Sequence, residues 1–214
     1  VRNAELSELN RSLEQKVAER TAELAQANRQ LEALALTDAL TGLGNRRHAM
    51  TQLDAAWAEA ARHAEALAVM MLDADHFKEI NDRYGHDAGD VVLRALARTL
   101  RDAMRTDDLV FRLGGDEFFI LCPRTGLDGA RLAAEQVRAA VAALHVVVGG
   151  GAWDGSVSVG VAVRTPATAD VAALVKQADE ALYAAKRAGR NCVAVAATAM
   201  GEHGSSADPI GAAS

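Results

Sequence analysis

Two acidic residues behind a pair of glycines are the first feature of this chain able to do chemistry. Gly114-Gly115-Asp116-Glu117-Phe118 separates two apolar runs, Leu109-Val110-Phe111 and Phe118-Phe119-Ile120-Leu121-Cys122. An apolar run, a short glycine turn and a second apolar run form the pattern of a β-hairpin. Glycine admits positive φ and leaves a ligand room to approach. Asp116 and Glu117 would then stand at an open tip, within reach of metal-bound phosphate. The turn also has a plainer explanation, since glycine suits any tight hairpin, and the pentapeptide alone does not decide between the two.

A second acidic pair, Asp73 and Asp75, follows the apolar run Val69-Met70-Met71-Leu72. If that strand pairs with the hairpin, Asp73 and Asp116 meet at one end of a sheet. Carboxylates so placed suit a hard divalent cation, and Mg²⁺ takes one or two of them together with phosphate oxygens. Two such ions activate an attacking hydroxyl and stabilise a leaving pyrophosphate. The alternative is that these acids are solvated strand ends, and Asp75 reads equally as that or as a local cap. Gly149-Gly150-Gly151 lacks the Lys-Ser/Thr continuation of a phosphate loop and lies between strands, so it reads as a turn.

The elements that must position these residues follow from periodicity and breakers. Residues 37–47 interrupt helix with two glycines, and a helix is expected over about 46–63. A buried strand over 66–72, an acidic glycine-punctuated stretch over 73–90 and a helix over about 88–104 come next. The hairpin spans about 109–123, and another helix about 128–144. Val146–Val148, a glycine loop and Ser156–Val163 read as a second hairpin; a helix over 171–188 and a strand over 191–196 follow. The fold class is α+β, a ferredoxin-like palm with a β-α-β-β-α-β core, an added helix and hairpin, and a long helix in front. Its helices are expected on one face of a mainly antiparallel sheet.

Residues 1–36 contain neither Gly nor Pro, and Leu6, Asn10, Leu13, Val17, Arg20, Leu24, Ala27, Leu31 and Leu34 recur at spacings of four and three. This heptad seam predicts a parallel dimeric coiled coil, with Asn10 able to fix register and Arg20 weakening the seam; a single amphipathic helix is the alternative. Three segments result: a signalling coiled coil over 1–36, a globular domain over 37–198 and a disordered tail over 199–214, rich in Gly, Ser and Ala. With 214 residues, half of them hydrophobic, the chain can bury a sizeable core. A net charge of −6 gives no sign of a nucleic-acid-coating protein. No apolar run approaches the length a bilayer needs, and no secretory leader is visible. Cys122 and Cys192, isolated in apolar runs, read as buried reduced thiols. The expected setting is cytoplasmic. Because the sequence starts at Val1, it reads as part of a longer protein, whose N-terminal region could carry a membrane anchor.

Four separated stretches, in order, resemble the GGDEF family of diguanylate cyclases. They are Asp38-Ala39-Leu40-Thr41-Gly42-Leu43-Gly44-Asn45-Arg46-Arg47, residues 73–90, Gly114–Phe118, and residues 178–191. The resemblance implies a palm that joins two GTP molecules into cyclic di-GMP across a domain dimer, releasing two pyrophosphates. It implies that Asp73, Asp116 and the backbone carbonyl of Ala74 bind Mg²⁺, two ions per half-site, with Mn²⁺ as a substitute. Ala74 stands where a bulkier aliphatic residue is usual, a change to which a carbonyl ligand is indifferent. By the same resemblance Asp116 helps deprotonate the attacking 3′-hydroxyl and Glu117 supports the metal site. Lys78 stabilises the charge on the transferring phosphate. Asn81 and Asp90 read guanine, His86 contacts substrate nearby, and Lys186 and Arg190 hold the β and γ phosphates. Taken by spacing alone, His86 would cap a turn and Lys186 and Arg190 would complement a helix dipole. Arg105 and Asp108 occupy the position of the family's RxxD inhibitory motif, which implies feedback by cyclic di-GMP. Expected partners are GTP, cyclic di-GMP, a second copy through the coiled coil and an upstream sensor domain, with no nucleic acid. The alternative is a catalytically inactive module that binds GTP or cyclic di-GMP and passes on a signal.

Overall fold

A computed structural model describes residues 36–197, together with the helical positions Lys16, Arg20 and Thr21. Apart from those positions, the heptad seam expected over 1–36 lies outside the described residues, as does the tail expected over 199–214. The chain divides between Thr37 and Asp38 into two compact units, and the second carries the six-stranded sheet.

The centre of that sheet is β2 (Leu67–Ala74), whose first six residues are an unbroken apolar run and which is buried along almost its whole length. A strand without alternation must be covered on both faces. Ala68, Met70 and Leu72 pack into one core cluster, while Leu67, Val69 and Met71 pack into another. β2 pairs antiparallel with β4 (Glu117–Pro123) on one side and β7 (Val157–Val163) on the other. β3 (Leu109–Gly114) pairs antiparallel with β4. Two short strands, β1 (Gly44–Asn45) and β8 (Val193–Val195), add in parallel at the edges, giving the order β1-β3-β4-β2-β7-β8.

Five helices complete the described unit: α1 (Arg46–His63), α2 (Phe77–Tyr84), α3 (His86–Ala103), α4 (Leu127–Ala142) and α5 (Val171–Arg187). Side-chain caps start two of them: Asn45 accepts from the His48 N–H at 3.1 Å, and Asp170 from the Ala173 N–H at 2.7 Å. The expected α+β palm is present, with one correction to its layering. α2, α3 and α4 cover one face of the sheet and α1 and α5 the other, so the helices are not confined to one side. The same unalternating β2 run required this.

One local expectation is also corrected. Val146–Val148 does not pair with Ser156–Val163. Gly149 and Gly150 both take positive φ, +48° and +89°, and so close a tight turn between β5 (His145–Val148) and β6 (Gly151–Asp154). The fully buried 157–163 run is thereby released to join the main sheet beside β2. Within the acidic stretch after β2, to which the sequence pattern assigns no element, Phe77 and Ile80 lie three apart and are buried, and α2 forms around them.

The β3–β4 turn is held from outside. Arg112 Nη1 donates to both carboxylate oxygens of Asp38, at 3.0 and 3.1 Å, while its Nε and Nη2 donate to the Gly115 carbonyl at 3.0 and 2.8 Å. Asp38 also accepts from the Thr41 N–H at 2.9 Å and hydroxyl at 2.6 Å. Burial acts to raise the Asp38 carboxyl, but the hydrogen bonds from Thr41 and Arg112 outweigh it and hold the group below the usual carboxylate range.

Two outcomes test this packing. A Cβ on Gly160 would run into the backbone of Ala178 and Leu182 on α5. Gly160→Ala should therefore cost about 3 kcal/mol in denaturant unfolding, and an unchanged midpoint would show that α5 does not sit so close. A carboxyl depressed in the folded state stabilises above its unfolded value, near 4, and loses that contribution as pH falls through the folded value. Asp38→Asn should cost about 1 kcal/mol at pH 7, and the gap from the parent chain should narrow steadily as pH falls below the ordinary carboxylate range. A gap constant with pH would contradict the ion pair.

Candidate active site

The register of the central strands builds the site. Asp73 lies opposite Glu117 on β4 and opposite Ser158 on β7, which brings the end of β2 level with the β3–β4 turn. Gly115 and Asp116 form that turn, with the ladder slipping at Leu113, and Gly114 and Gly115 have φ of +143° and +53°. Beyond the ladder, the Ala74 N–H donates to the Asp116 carbonyl at 3.2 Å. Asp73, Ala74, Lys78, Asp116, Lys186 and Arg190 line one cavity of about 520 Å³. The expected meeting of Asp73 and Asp116 therefore occurs.

Charge is concentrated here. Lys186, in the last turn of α5, sits 2.6 Å from Asp73 Oδ2. Burial pushes the Asp73 carboxyl up; the Lys186 hydrogen bond opposes this, and the nearby charges of Asp116 and Asp75 add to the rise. A cation would relieve that crowding. Two carboxylates and a backbone carbonyl are hard oxygen donors of the kind Mg²⁺ takes. Among the described residues, no group of three or more His, Cys, Asp or Glu side chains could hold a metal by itself. A cation here would complete its shell with water or phosphate oxygens, as Mg²⁺ commonly does.

The other expected residues fall around this cavity. Lys78 is exposed on the first turn of α2. Arg190 follows α5 in a left-handed loop, with φ of +64°. Asn81, His86 and Asp90 lie outside the cavity lining, at the junction of α2 and α3. Asn81 Oδ1 is buried and makes no hydrogen bond. Its place is kept open by Gly89, where a Cβ would collide with that oxygen. A buried acceptor without a donor is costly, so this atom is set for one brought by a ligand. Asp90 lies 3.6 Å from Arg94, and His86 is exposed at the start of α3. Glu117 does not line the cavity; it faces the α1 side, 3.5 Å from Arg46.

Arg105 and Asp108 line a separate cavity of about 390 Å³, and the Arg105 N–H donates to Asp108 Oδ2 at 3.2 Å. Cys122 is buried close by: burial first, and Asp108 second, push its thiol up. Cys122 and Cys192 are free thiols, as expected, though Cys192 is only half-buried and precedes β8.

Sequence reasoning missed two sets of residues. The Asp38–Arg112 pair spans 74 positions, so no local spacing announces it. Asp75 is neither a solvated strand end nor a simple cap. It is 1% exposed and accepts from Ser156 Oγ and Ser158 Oγ, both at 2.7 Å, and from the Asn191 N–H at 3.0 Å. Two serines on alternate positions leading into an otherwise apolar strand were the available signal.

The "Diguanylate cyclase, GGDEF domain" family model matches residues 35–192. Diguanylate cyclase DgcM of Escherichia coli is 44% identical over 167 residues, covering 78% of this chain and 40% of its own length. The response regulator PleD of Caulobacter vibrioides is 41% identical over 162 residues, 75% of this chain and 36% of its own length. The chain thus spans less than half the length of these curated relatives. A crystal structure of the coiled coil and GGDEF domain of DgcB from Caulobacter crescentus, in complex with c-di-GMP, superposes with a TM-score of 0.76 at 35% identity, covering 86% of this chain and 100% of that one. The family model covers most of the chain, relatives above 40% identity cover three quarters of it, and the fold superposes on a solved member, so the chain belongs to the diguanylate cyclase GGDEF domain family.

Proposed function

We propose that this domain, facing a second copy of itself, condenses two GTP molecules into cyclic di-GMP and releases two pyrophosphates. The observation that carries this reading is the single cavity in which Asp73, Asp116 and the Ala74 carbonyl stand beside Lys78, Lys186 and Arg190. Acidic and basic groups gathered in this way suit a metal-bound triphosphate. The Asp73, Asp116 and Ala74 oxygens would hold Mg²⁺, or Mn²⁺ in its place, up to two ions per half-site. When bound, these ions offset phosphate charge and make the 3′-hydroxyl more acidic.

The protein's own residues supply the rest. Asp116 takes the proton from the 3′-hydroxyl of one GTP as that oxygen forms a bond to the α-phosphorus of the other. The bond between the α-phosphorus and the bridging oxygen to the β-phosphorus breaks, and its electron pair leaves with pyrophosphate. A second, symmetric transfer closes the ring. Lys78 stabilises the negative charge that grows on the transferring group. Lys186 and Arg190 hold the β and γ phosphates, one as a point charge and one as a planar fork. Asn81 Oδ1 and Asp90 accept from the guanine N1–H and amino group, and the Asn81 amide donates to a guanine acceptor. His86 contacts the nucleotide beside them, and Glu117 supports the metal-binding carboxylates from the α1 side.

One domain offers one half-site, so the second α-phosphate must come from a partner. Residues 1–36 supply that partner as a dimeric coiled coil by raising its effective concentration, under the control of an upstream sensor domain. Arg105 and Asp108 bind the product and slow the enzyme when cyclic di-GMP accumulates. The working setting is the cytoplasm, where GTP is available; among the described residues no helix is long and apolar enough to cross a membrane.

Incubated with GTP and Mg²⁺, the chain should release cyclic di-GMP, resolved by chromatography. Asp116→Asn should lower the rate at least about 100-fold without moving the thermal midpoint, and retained turnover would remove Asp116 from its role. Absence of product from the parent chain at high protein concentration would leave a signalling module that only binds nucleotide. Gly89→Ala, which crowds Asn81 Oδ1, should raise the KM for GTP about tenfold with a smaller effect on kcat. An unchanged KM would show that Asn81 does not read the base.

A further inference from the structure

Three consecutive residues after α5 adopt left-handed backbone: Gly189 with φ of +117°, Arg190 with +64° and Asn191 with +44°. For the non-glycine residues Arg190 and Asn191 this backbone is unfavourable, and such conformations persist only where the surroundings over-determine them. Here the surroundings do. The Arg190 N–H donates to the Ala185 carbonyl at 3.2 Å, and Arg138 Nη1 donates to Asn191 Oδ1 at 3.2 Å. The Asn191 N–H reaches Asp75 Oδ2 at 3.0 Å, although 116 positions separate the two residues.

Asp75 is tied to the fold at every polar atom. Its Oδ1 accepts from Ser158 Oγ and its Oδ2 from Ser156 Oγ as well as from Asn191. Its own N–H donates to the Ser156 carbonyl at 3.0 Å, and its carbonyl accepts from Trp153 Nε1 at 3.2 Å. Both carboxylate oxygens are thus engaged by the protein, which leaves Asp75 unsuited to act as a metal ligand beside Asp73. Neither Ser156, Ser158 nor Trp153 lines the cavity. What the clasp reaches instead is the segment carrying Arg190, one residue away from the bonded Asn191.

We propose that Asp75 is a positioning residue: by fixing Asn191 it holds the left-handed loop that aims Arg190 at the terminal phosphates of the nucleotide. The assignment rests on the proposed reading of the cavity as a GTP site. It gives the second acid of the Asp73-Ala74-Asp75 pair a role separate from metal binding. Substrate selection would then depend on Asp75 through the triphosphate and not through the base. A charge-assisted bond to a buried carboxylate is strong enough for its loss to shift affinity by a measurable factor.

The test is calorimetric titration of the full chain, in Mg²⁺, with GMP and with a non-hydrolysable GTP analogue. Asp75→Asn keeps the shape but weakens the hold on the Asn191 N–H, and should reduce affinity for the triphosphate about tenfold while changing that for GMP less than twofold. Tryptic cleavage after Arg190 should accelerate in the same variant, because the loop is no longer held. Ser158→Ala, which removes one donor to Asp75 and serves if Asp75→Asn fails to fold, should shift both readouts in the same direction by a smaller factor. Unchanged triphosphate affinity in the folded variants would overturn the positioning role alone, as would an equal loss for both nucleotides. Failure of the parent chain to bind either nucleotide would overturn the GTP reading and this assignment with it.

Discussion

Three carboxylates converge where β2 ends beside the β3–β4 turn, and the site depends on how their repulsion is contained. Uncompensated, like charges this close would force one or more to protonate. The protein solves the problem differently for each. Asp75 is buried and fully bonded by two serine hydroxyls and a backbone N–H. Asp73 has Lys186 at 2.6 Å, which offsets part of the cost of its burial. Asp116 stays half-exposed at the turn, where solvent screens it. All three line the cavity, but only Asp75 has both carboxylate oxygens taken up by the protein's own donors.

The same compensation bears on the proposed binding of a metal-bound nucleotide. Lys186 neutralises Asp73 in the free protein, yet a divalent cation on Asp73 and Asp116 would release its ammonium for phosphate. On the proposed reading, a metal-bound triphosphate would satisfy both ends at once, whereas either component alone would leave one end unpaired. The Arg112 clamp contributes from outside by fixing the Gly115 carbonyl, and with it the turn that carries Asp116, to the segment just before β1. The segment before β1 is thereby tied through Arg112 to the turn that carries Asp116.

Much of this was legible in the sequence because it rests on local pattern. Apolar runs and helical periodicity located β2, the β3–β4 hairpin and the longer helices within a few residues. Pairing logic alone brought Asp73 and Asp116 together. The family resemblance, not spacing, directed attention to Asn81, Lys186 and Arg190. What escaped was non-local. The helices on both faces followed from β2 lacking alternation, a signal present but outweighed by the expectation of a one-sided sheet. α2 is short, and the acidic residues around Phe77 and Ile80 masked its period. The β5–β6 hairpin depended on which of two strands the glycine turn would serve, and the burial of 157–163 decided it. Asp38–Arg112 and Asp75–Asn191 link positions 74 and 116 apart, and no periodicity reports such a pair.

The central claim is that one domain is half an enzyme. Cyclic di-GMP formation per chain, measured across the protein concentrations over which sedimentation shows monomer turning to dimer, tests it most directly. The account predicts that specific activity rises in step with the dimer fraction and levels off when dimerisation is complete. Specific activity that stays constant while the chain is monomeric, or no product at any point in that range, would contradict it.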